Sequence, residues 1–157
     1  MAPDAGAAER NDRLAQKLTF FLKRDVGFAV VLKERKSDDV KFKDIVGDVD
    51  GAITLTYDDE SVTGSTLVGS AEMAQKKGAR ASIALITHAK FTEDGVKRLE
   101  DSCLERILIT DTIWRPGSFY EKHPKFEKVS VTSLFAEAIR RIHNSESIST
   151  LFELVEK

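Results

Sequence analysis

The sequence predicts an α/β protein with a three-layer, doubly wound parallel sheet. Short continuous apolar runs, typical of strands covered on both faces, alternate along the chain with segments whose apolar residues recur at helical spacing. Turn residues separate the two kinds of segment. Strands that alternate with helices form a parallel sheet with helices on both faces, joined by right-handed crossovers. A length of 157 residues suits one such sheet, so we expect a single domain over residues 1–157.

The first third of the chain contains a predicted helix and two predicted strands. An amphipathic helix is expected from residue 9 to about 22, where four apolar residues share helical spacing: Leu14, Leu18, Phe21 and Leu22. Residues 28–32 are a continuous apolar run and predict a buried strand. The charged stretch 33–44 is expected to be a mobile loop. Turn chemistry at residues 47–51 then leads into a second buried strand at residues 52–57, which is rich in β-branched residues.

The middle of the chain repeats the alternation. A loop at residues 58–64 precedes a helix that contains Leu67 and Val68. That helix is expected to stop at Lys76-Lys77-Gly78, because cations suit the last turn and glycine suits the position just past it. Residues 81–87 predict the third buried strand.

The last third of the chain also alternates predicted helices with predicted strands. A short helix at about residues 92–100 and a strand at residues 106–110 precede an irregular stretch over residues 114–124. Residues 128–131 predict a final strand. Helical spacing from Leu134 to Ile142 predicts the helix that follows.

Composition and charge exclude several classes of protein. Hydrophobic residues make up 41% and charged residues 32% of the chain, which is ordinary for a globular domain. A formal net charge of -2 gives no broad basic field for nucleic acid or an anionic membrane. One cysteine, Cys103, excludes an intrachain disulfide. The start lacks the pattern of a signal peptide, and no apolar run is long enough to span a bilayer, so we expect a cytoplasmic protein.

The segment from Asp58 to Thr66 carries the most chemistry. In open α/β sheets, ligands bind beyond the carboxyl ends of the strands, and the predicted strand 52–57 ends here. Residues 63–66 (Thr63, Gly64, Ser65 and Thr66) lie where a loop becomes a helix, so hydroxyls and unpaired backbone N–H groups converge there as a phosphate would require. Asp58 and Asp59 supply acceptors for the vicinal hydroxyls of a sugar, or for a divalent cation. The combination suggests a phosphorylated ribose. The same residues also fit a plain helix N-cap beside a solvated acidic turn.

The acidic and hydroxyl-rich stretch resembles the ribose-phosphate binding loop of type I phosphoribosyltransferases. Three further segments resemble the C-terminal domain of ribose-phosphate diphosphokinase, the phosphoribosyl diphosphate (PRPP) synthetase. They are residues 81–91 (ASIALITHAKF), 106–113 (RILITDTI) and 136–152 (AEAIRRIHNSESISTLF). Near the start, Pro3-Asp4-Ala5-Gly6 resembles the Pro-Asp-Ala-Gly-Gly turn of that family. The resemblance spans nearly the whole chain and implies a type I phosphoribosyltransferase-like fold.

The resemblance also implies roles for individual residues. Lys33 would be the catalytic lysine of a flexible loop, and Arg35 would bind the sugar phosphate or the transferring diphosphate. Asp4 would be a ligand of Mg²⁺, the implied cofactor. Asp58 and its neighbour Asp59 would bind the ribose hydroxyls. Residues 63–66 would hold the 5-phosphate.

Four positions depart from the family pattern. Val62 stands where the family has a third acid beside the ribose, and Glu34 replaces an arginine. Ser65 and Ala7 each replace a glycine. An apolar residue at 62 removes an acceptor from the sugar site, and Glu34 puts a negative charge where the transferring group is negative. The phosphate pocket is expected to tolerate these changes better than the transfer reaction does.

Three functions follow from the resemblance. The first is the ribose 5-phosphate half of a ribose-phosphate diphosphokinase, a transferase of nucleotide biosynthesis that acts as a kinase and converts ATP and ribose 5-phosphate to PRPP and AMP. The family's N-terminal half is absent from this sequence, so ATP would bind only with a second domain or subunit, and the chain alone would be inactive. The second is a non-catalytic subunit that senses ribose 5-phosphate or PRPP. The third is a phosphoribosyltransferase that consumes PRPP. A homo-oligomer is expected, with no nucleic acid or membrane partner.

Overall fold

The computed structural model describes residues 1–36 and 39–152, and the side chains of residues 35–40 lie outside this description. Its helices are α1 (Ala8–Leu22), α2 (Ser65–Lys76), α3 (Glu93–Glu100), α4 (Gly117–Lys122) and α5 (Thr132–His143), with short 3₁₀ helices at Ala5–Ala7 and Ser149–Leu151. Its strands are β1 (Val30–Lys36), β2 (Asp39–Val46), β3 (Ile53–Ser61), β4 (Ala81–Ala89), β5 (Arg106–Thr110) and β6 (Phe126–Val129). None of the described helices combines the length and the apolarity that a bilayer crossing requires.

A four-stranded parallel sheet forms the centre of the molecule, with strand order β3-β4-β5-β6. Side chains alternate between its two faces. On one face, Ala84 and Ile86 of β4 are packed in a core with Leu67 of α2 and Leu99 of α3, and all four are almost completely buried. On the other face, Leu85 lines a groove with residues of α1. The prediction of an α/β fold with helices on both faces of a parallel sheet is therefore confirmed.

The predicted strand at residues 28–32 and the predicted loop at residues 33–44 were wrong in part. The strand begins at Val30 and continues to Lys36, and it pairs with β2 in an antiparallel hairpin outside the parallel sheet. The charged stretch forms most of this hairpin, and residues of opposite charge face each other across its two strands. Glu34 lies opposite Lys41, and its carboxylate is 2.7 Å from Nζ of Lys43.

Other parts of the prediction also differ from the structure, and β4 continues two residues past the predicted end at Thr87, to Ala89. Strand β3 runs four residues past Tyr57, to Ser61, because β4 offers it a parallel partner as far as Ala89. The last strand starts at Phe126, whose buried ring fills the core. The stretch 114–124, predicted as irregular, contains the short helix α4.

The hairpin is packed onto α2 through a glycine. A Cβ built on Gly69 would lie 2.1 Å from the Cε2 atom of the Phe42 ring, so the ring occupies the space that a side chain at position 69 would need. Phe42 also packs against the small core formed by Ala29, Val31, Ile45, Val49 and Ala74. This contact is how the charged hairpin is anchored next to the helix that starts at the predicted phosphate loop.

We expect Gly69→Ala to destabilise the protein by about 1–3 kcal/mol, because the new methyl group must push away an aromatic ring. Alanine has the higher helix propensity, so without the clash the same change would stabilise α2. The measurement is the free energy of unfolding in urea. Gly117→Ala is the matched control, because a Cβ at the first residue of α4 meets nothing within 4 Å. Equal stability of the wild type and Gly69→Ala would contradict the proposed packing of Phe42.

Candidate functional site

A left-handed glycine turns the chain from β3 into α2. Gly64 has φ = 69° and is the N-cap of α2. A Cβ at this position would be strained and would also lie 2.7 Å from Cγ of the buried Leu99. The turn therefore requires glycine for its backbone conformation and for its close approach to α3.

Helix α3 holds the loop in place from behind. The carbonyl oxygen of Val62 accepts a hydrogen bond from the N–H of Thr92 (3.1 Å), the N-cap residue of α3. The guanidinium of Arg98 donates to the carbonyl oxygen of Thr63 (2.7 Å). With its carbonyl groups bound at the back, the loop turns its hydroxyls and N–H groups outward. Sequence reasoning missed Arg98, because nothing in its local sequence points to a residue 35 positions earlier.

The front of the loop has the chemistry of an anion site. The hydroxyls of Thr63 and Ser65 are 3.0 Å apart and both exposed. The first N–H groups of α2, those of Ser65, Thr66 and Leu67, have no carbonyl four residues back within the helix, and the positive end of the helix dipole lies here. Hydroxyls and N–H groups at a helix N-terminus are suitable ligands for a phosphate. Val62, beside them, is exposed and supplies no polar side-chain atom.

Asp58 and Asp59 lie in strand β3 and not in the loop that the sequence predicted. The side chains of both acids approach Arg10 of α1, and Asp58 is the more buried of the two. Burial, together with the hydrogen bond and negative charge of Asp59, raises the pKa of Asp58 to about 6. The guanidinium of Arg10 in α1 lies 3.3 Å from Oδ1 of Asp59 and 3.9 Å from Oδ1 of Asp58. Arg10 is a second residue that the sequence analysis did not identify.

Asp4 and Lys33, far apart in the sequence, form an ion pair with Nζ 2.6 Å from Oδ2. Lys33 is only 8% exposed, so its charge has little water around it. Burial alone would raise the pKa of Asp4, but the contact with Lys33 and the N–H of Ala7 outweigh burial and hold the pKa below its usual value. The negative charge of Asp4 also contributes to the raised pKa of Asp58. Asp4, Lys33 and Asp58 thus belong to one electrostatic cluster.

The predicted metal ligand has the right chemistry for Mg²⁺ but does not form a metal site alone. Among the described residues, no three side chains of His, Cys, Asp or Glu are grouped so that they could hold a metal ion. Mg²⁺ in phosphate-transferring proteins is bound by one or two carboxylates, with substrate oxygens and waters completing the octahedron. A single carboxylate such as Asp4 fits that arrangement. Arg35 lies in β1, and its side chain is outside the described part of the structure.

Comparisons with known proteins find similarity to phosphoribosyl synthetases. The family model described as phosphoribosyl synthetase-associated domain matches residues 23–153. Ribose-phosphate pyrophosphokinase A of Dictyostelium discoideum is 37% identical over 153 residues, which are 97% of this chain and 46% of that protein. Ribose-phosphate pyrophosphokinase 4 of Saccharomyces cerevisiae is 39% identical over 153 residues, with 97% and 44% covered. The chain spans about half the length of the curated relatives it matches.

A solved structure shows the same fold. The phosphoribosylpyrophosphate synthetase of Mycobacterium smegmatis superposes with a TM-score of 0.74 at 23% identity. The superposition covers 92% of this chain and 44% of that chain. At this identity the likeness concerns the fold alone.

We expect the carboxyl group of Asp58 to titrate near pH 6 and its pKa to fall in the Asp59→Asn variant, because the variant removes a neighbouring negative charge. The measurement is a ¹³C NMR titration of the side-chain carboxyl groups. Asp111 is the internal control, because the N–H of Val131 and the hydroxyl of Ser130 hold its pKa below its usual value. An Asp58 pKa that Asp59→Asn leaves unchanged would contradict the coupling.

The raised pKa also has a stability consequence. Because the folded-state pKa of Asp58 lies above the ordinary 3.8, folding favours the protonated form, and this group's contribution to stability is lost as the pH rises from about 4 to above 6. We therefore expect Asp58→Asn to improve the Tm relative to the wild type more at pH 7 than at pH 4.

Proposed function

Because the chain belongs to the phosphoribosyl synthetase-associated domain family, we propose that it is the ribose 5-phosphate-binding half of a ribose-phosphate diphosphokinase. The observation that carries the proposal is the loop at residues 63–66, built on a left-handed Gly64, next to two acids at the carboxyl end of β3. A phosphate and a vicinal diol at the spacing of a pentose phosphate would occupy these two groups of ligands. In the proposed reaction, the β,γ-diphosphate of ATP passes to the 1-hydroxyl of the ribose and AMP is released.

The proposal gives each predicted site residue a role in binding or in transfer. Thr63, Gly64, Ser65 and Thr66 bind the 5-phosphate with hydroxyls and N–H groups, and Asp58 and Asp59 accept hydrogen bonds from the ribose hydroxyls. Lys33 and Arg35 supply positive charge to the transferring diphosphoryl group, whose charge spreads over its oxygens in the transition state. Asp4 would hold Mg²⁺, which would neutralise more of that charge when bound.

The ion pair between Lys33 and Asp4 limits the access of Lys33 to a substrate. Lys33 is mostly buried against Asp4, so it reaches a substrate only after this contact opens. Mg²⁺ at Asp4 would compete with the ammonium for the same carboxylate. Lys33 lies on a hairpin strand, and movement of the hairpin would bring its cations over a bound substrate.

ATP belongs to a second domain or subunit in this proposal. The described residues contain one phosphate loop of the required kind, and the relatives are about twice as long as this chain. A cytoplasmic homo-oligomer that takes part in nucleotide biosynthesis completes the proposal. The exposed apolar residues of α5, namely Leu134, Phe135, Ile139 and Ile142, are one surface through which copies could associate.

A non-catalytic, ligand-sensing subunit is the second candidate, and two observations favour it. Val62 is exposed beside the sugar site and offers no acceptor. Glu34, next to Lys33 in the hairpin, places a negative charge there and is paired with Lys43. Both would impair transfer more than binding. The third candidate, a PRPP-consuming phosphoribosyltransferase, is disfavoured because the tail at residues 136–152 resembles the synthetase family.

We expect ribose 5-phosphate to bind the chain and the double variant Thr63→Val, Thr66→Val to lose detectable binding. A hydrogen bond to a charged group contributes about 1.5–3 kcal/mol, so each hydroxyl accounts for roughly a tenfold to hundredfold change in Kd. Isothermal calorimetry with ribose 5-phosphate, ribose and inorganic phosphate separates the contributions of the sugar and the phosphate. Thr150→Val is the control, because that threonine is exposed in the C-terminal 3₁₀ helix. Binding that survives in the double variant would move the phosphate site elsewhere.

We expect the purified chain to form no PRPP and no AMP from ATP, ribose 5-phosphate and Mg²⁺, because these 157 residues span only about half the length of the ribose-phosphate pyrophosphokinases that they match. The measurement is AMP release, followed by chromatography over hours at high protein concentration. Magnesium-dependent turnover by the chain alone would refute the two-part arrangement. Binding of ribose 5-phosphate without turnover is the expected result, and it is shared by the catalytic-half and the sensing candidates.

A further inference from the structure

One face of α3 contacts the back of the candidate phosphate loop. The N–H of its N-cap residue, Thr92, donates to the carbonyl oxygen of Val62 (3.1 Å). Two turns further along the helix, the guanidinium of Arg98 donates to the carbonyl oxygen of Thr63 (2.7 Å). Between these donors lies Gly95, where a Cβ would be only 2.7 Å from the carbonyl oxygen of Val62. Helix α3 therefore binds two successive peptide groups of the loop, and a glycine permits the close approach.

Arg98 is directed to the loop although its own helix offers a carboxylate. Asp94 lies four residues before Arg98 in α3, which is the spacing at which an acid and a base pair on a helix surface. Within the part of the chain that the structure describes, none of the ion pairs includes Arg98. Its hydrogen bond to the Thr63 carbonyl joins a charged donor to a neutral acceptor, and such bonds are stronger than neutral ones. The positive charge of Arg98 therefore acts on the loop.

The two bound carbonyl groups determine where the other ends of their peptide groups point. In a trans peptide, the C=O and the N–H point in opposite directions. The Val62 carbonyl shares its peptide group with the N–H of Thr63, and the Thr63 carbonyl shares its peptide group with the N–H of Gly64. Because both carbonyls face α3, both N–H groups point away from α3, to the front of the loop.

The N–H groups of Thr63 and Gly64 are free to bind an anion. Among the described residues, neither N–H has an acceptor. Together with the first N–H groups of α2, they form an unbroken series around the left-handed Gly64, and such a series can enclose an anion. A guanidinium on the oxygen of a peptide group also polarises that group, so its N–H becomes a stronger donor. Arg98 therefore affects both the direction and the strength of the Gly64 N–H.

We infer that Arg98 is a positioning residue for the 5-phosphate. It holds the peptide group between Thr63 and Gly64 with its N–H toward the anion, and it strengthens that N–H as a donor. Arg98 acts from behind the loop, through the peptide group, and does not touch the phosphate. The inference rests on the proposed function, because it concerns the same phosphate loop. It assigns part of the affinity of this loop to a helix that lies outside it.

The test compares three variants of the full chain: Arg98→Gln, Arg98→Lys and Lys97→Gln. Lys97 is the matched control, because it is an exposed cation in the same turn of α3 and makes no hydrogen bond to the loop among the described residues. Arg98 is itself exposed, so its replacement leaves the buried core intact. Calorimetry measures the Kd of ribose 5-phosphate and of inorganic phosphate. Raising NaCl from about 0.1 M to about 0.5 M shortens the Debye length to roughly 4 Å and screens the effects of distant charges.

We expect Arg98→Gln to raise the Kd of both ligands at least about fivefold at both salt concentrations, because one charge-assisted hydrogen bond is lost. Arg98→Lys keeps a charged donor and should recover part of this loss. Lys97→Gln should change either Kd less than about twofold at high salt. In the chain without ligand, the backbone ¹⁵N resonance of Gly64 should shift in Arg98→Gln and stay in place in Lys97→Gln, because it reports the hydrogen bond to the Thr63 carbonyl.

Three results would overturn the inference. The first is equal binding of phosphate by the wild type and Arg98→Gln. The second is an equal loss of affinity in Lys97→Gln at high salt, which would assign the effect to the general charge of α3. The third is an unchanged Gly64 resonance in Arg98→Gln. If the wild type binds neither ligand, the proposed function fails and the positioning role fails with it, whereas binding that Arg98→Gln leaves unchanged rejects the positioning role alone.

Discussion

The left-handed turn at Gly64 is the constraint on which the candidate site depends. It lies in the three-residue connection between the end of β3 at Ser61 and the start of α2 at Ser65, and its missing side chain allows the loop to rest on Leu99 of α3. The same turn exposes the first N–H groups of α2 on the side where β3 delivers its acids. A residue with a Cβ would strain the backbone and push α3 away, which would damage the core and the loop together. Both the stability of the core and the geometry of the candidate ligand site therefore depend on Gly64.

The parallel part of the fold could be predicted from the sequence because each signal there is local. Helix α2 ends at Lys76, and Gly78 has φ = 88°, as cations followed by glycine indicate. Strand β5 has the bounds that its apolar run predicts. These elements are buried, and burial imposes a composition that a single sequence reveals. The candidate phosphate loop could also be predicted from the sequence, because its glycine and hydroxyl residues are contiguous.

The hairpin and the cluster around Asp58 could not be predicted in the same way. In β1 and β2, cross-strand ion pairs such as that of Glu34 with Lys43 replace apolar burial, so composition alone indicates a solvated loop. Asp58 and Asp59 extend a strand because β4 supplies the partner, and a residue's own propensity cannot report a neighbour 28 residues later, as Ile86 is for Asp58. Arg10 and Arg98 reach the site across long separations in sequence. The role of Lys33 was implied by resemblance, and its closure onto Asp4 needed coordinates.

Helix α5 presents an apolar surface to solvent, and ion pairs within the same helix and its C-terminal turn order that surface before any partner binds. Glu137 accepts hydrogen bonds from both Arg140 and Arg141, and Glu146 closes the far end of the helix by binding Arg140. These contacts hold the pKa of Glu137 down at about 2, and they lie on the helix itself and its C-terminal turn. These contacts link the helix to its C-terminal turn, while its apolar stripe, with Phe135 and Ile139, faces solvent. A partner that covers the stripe would meet an ordered surface, so little conformational entropy would be lost on association.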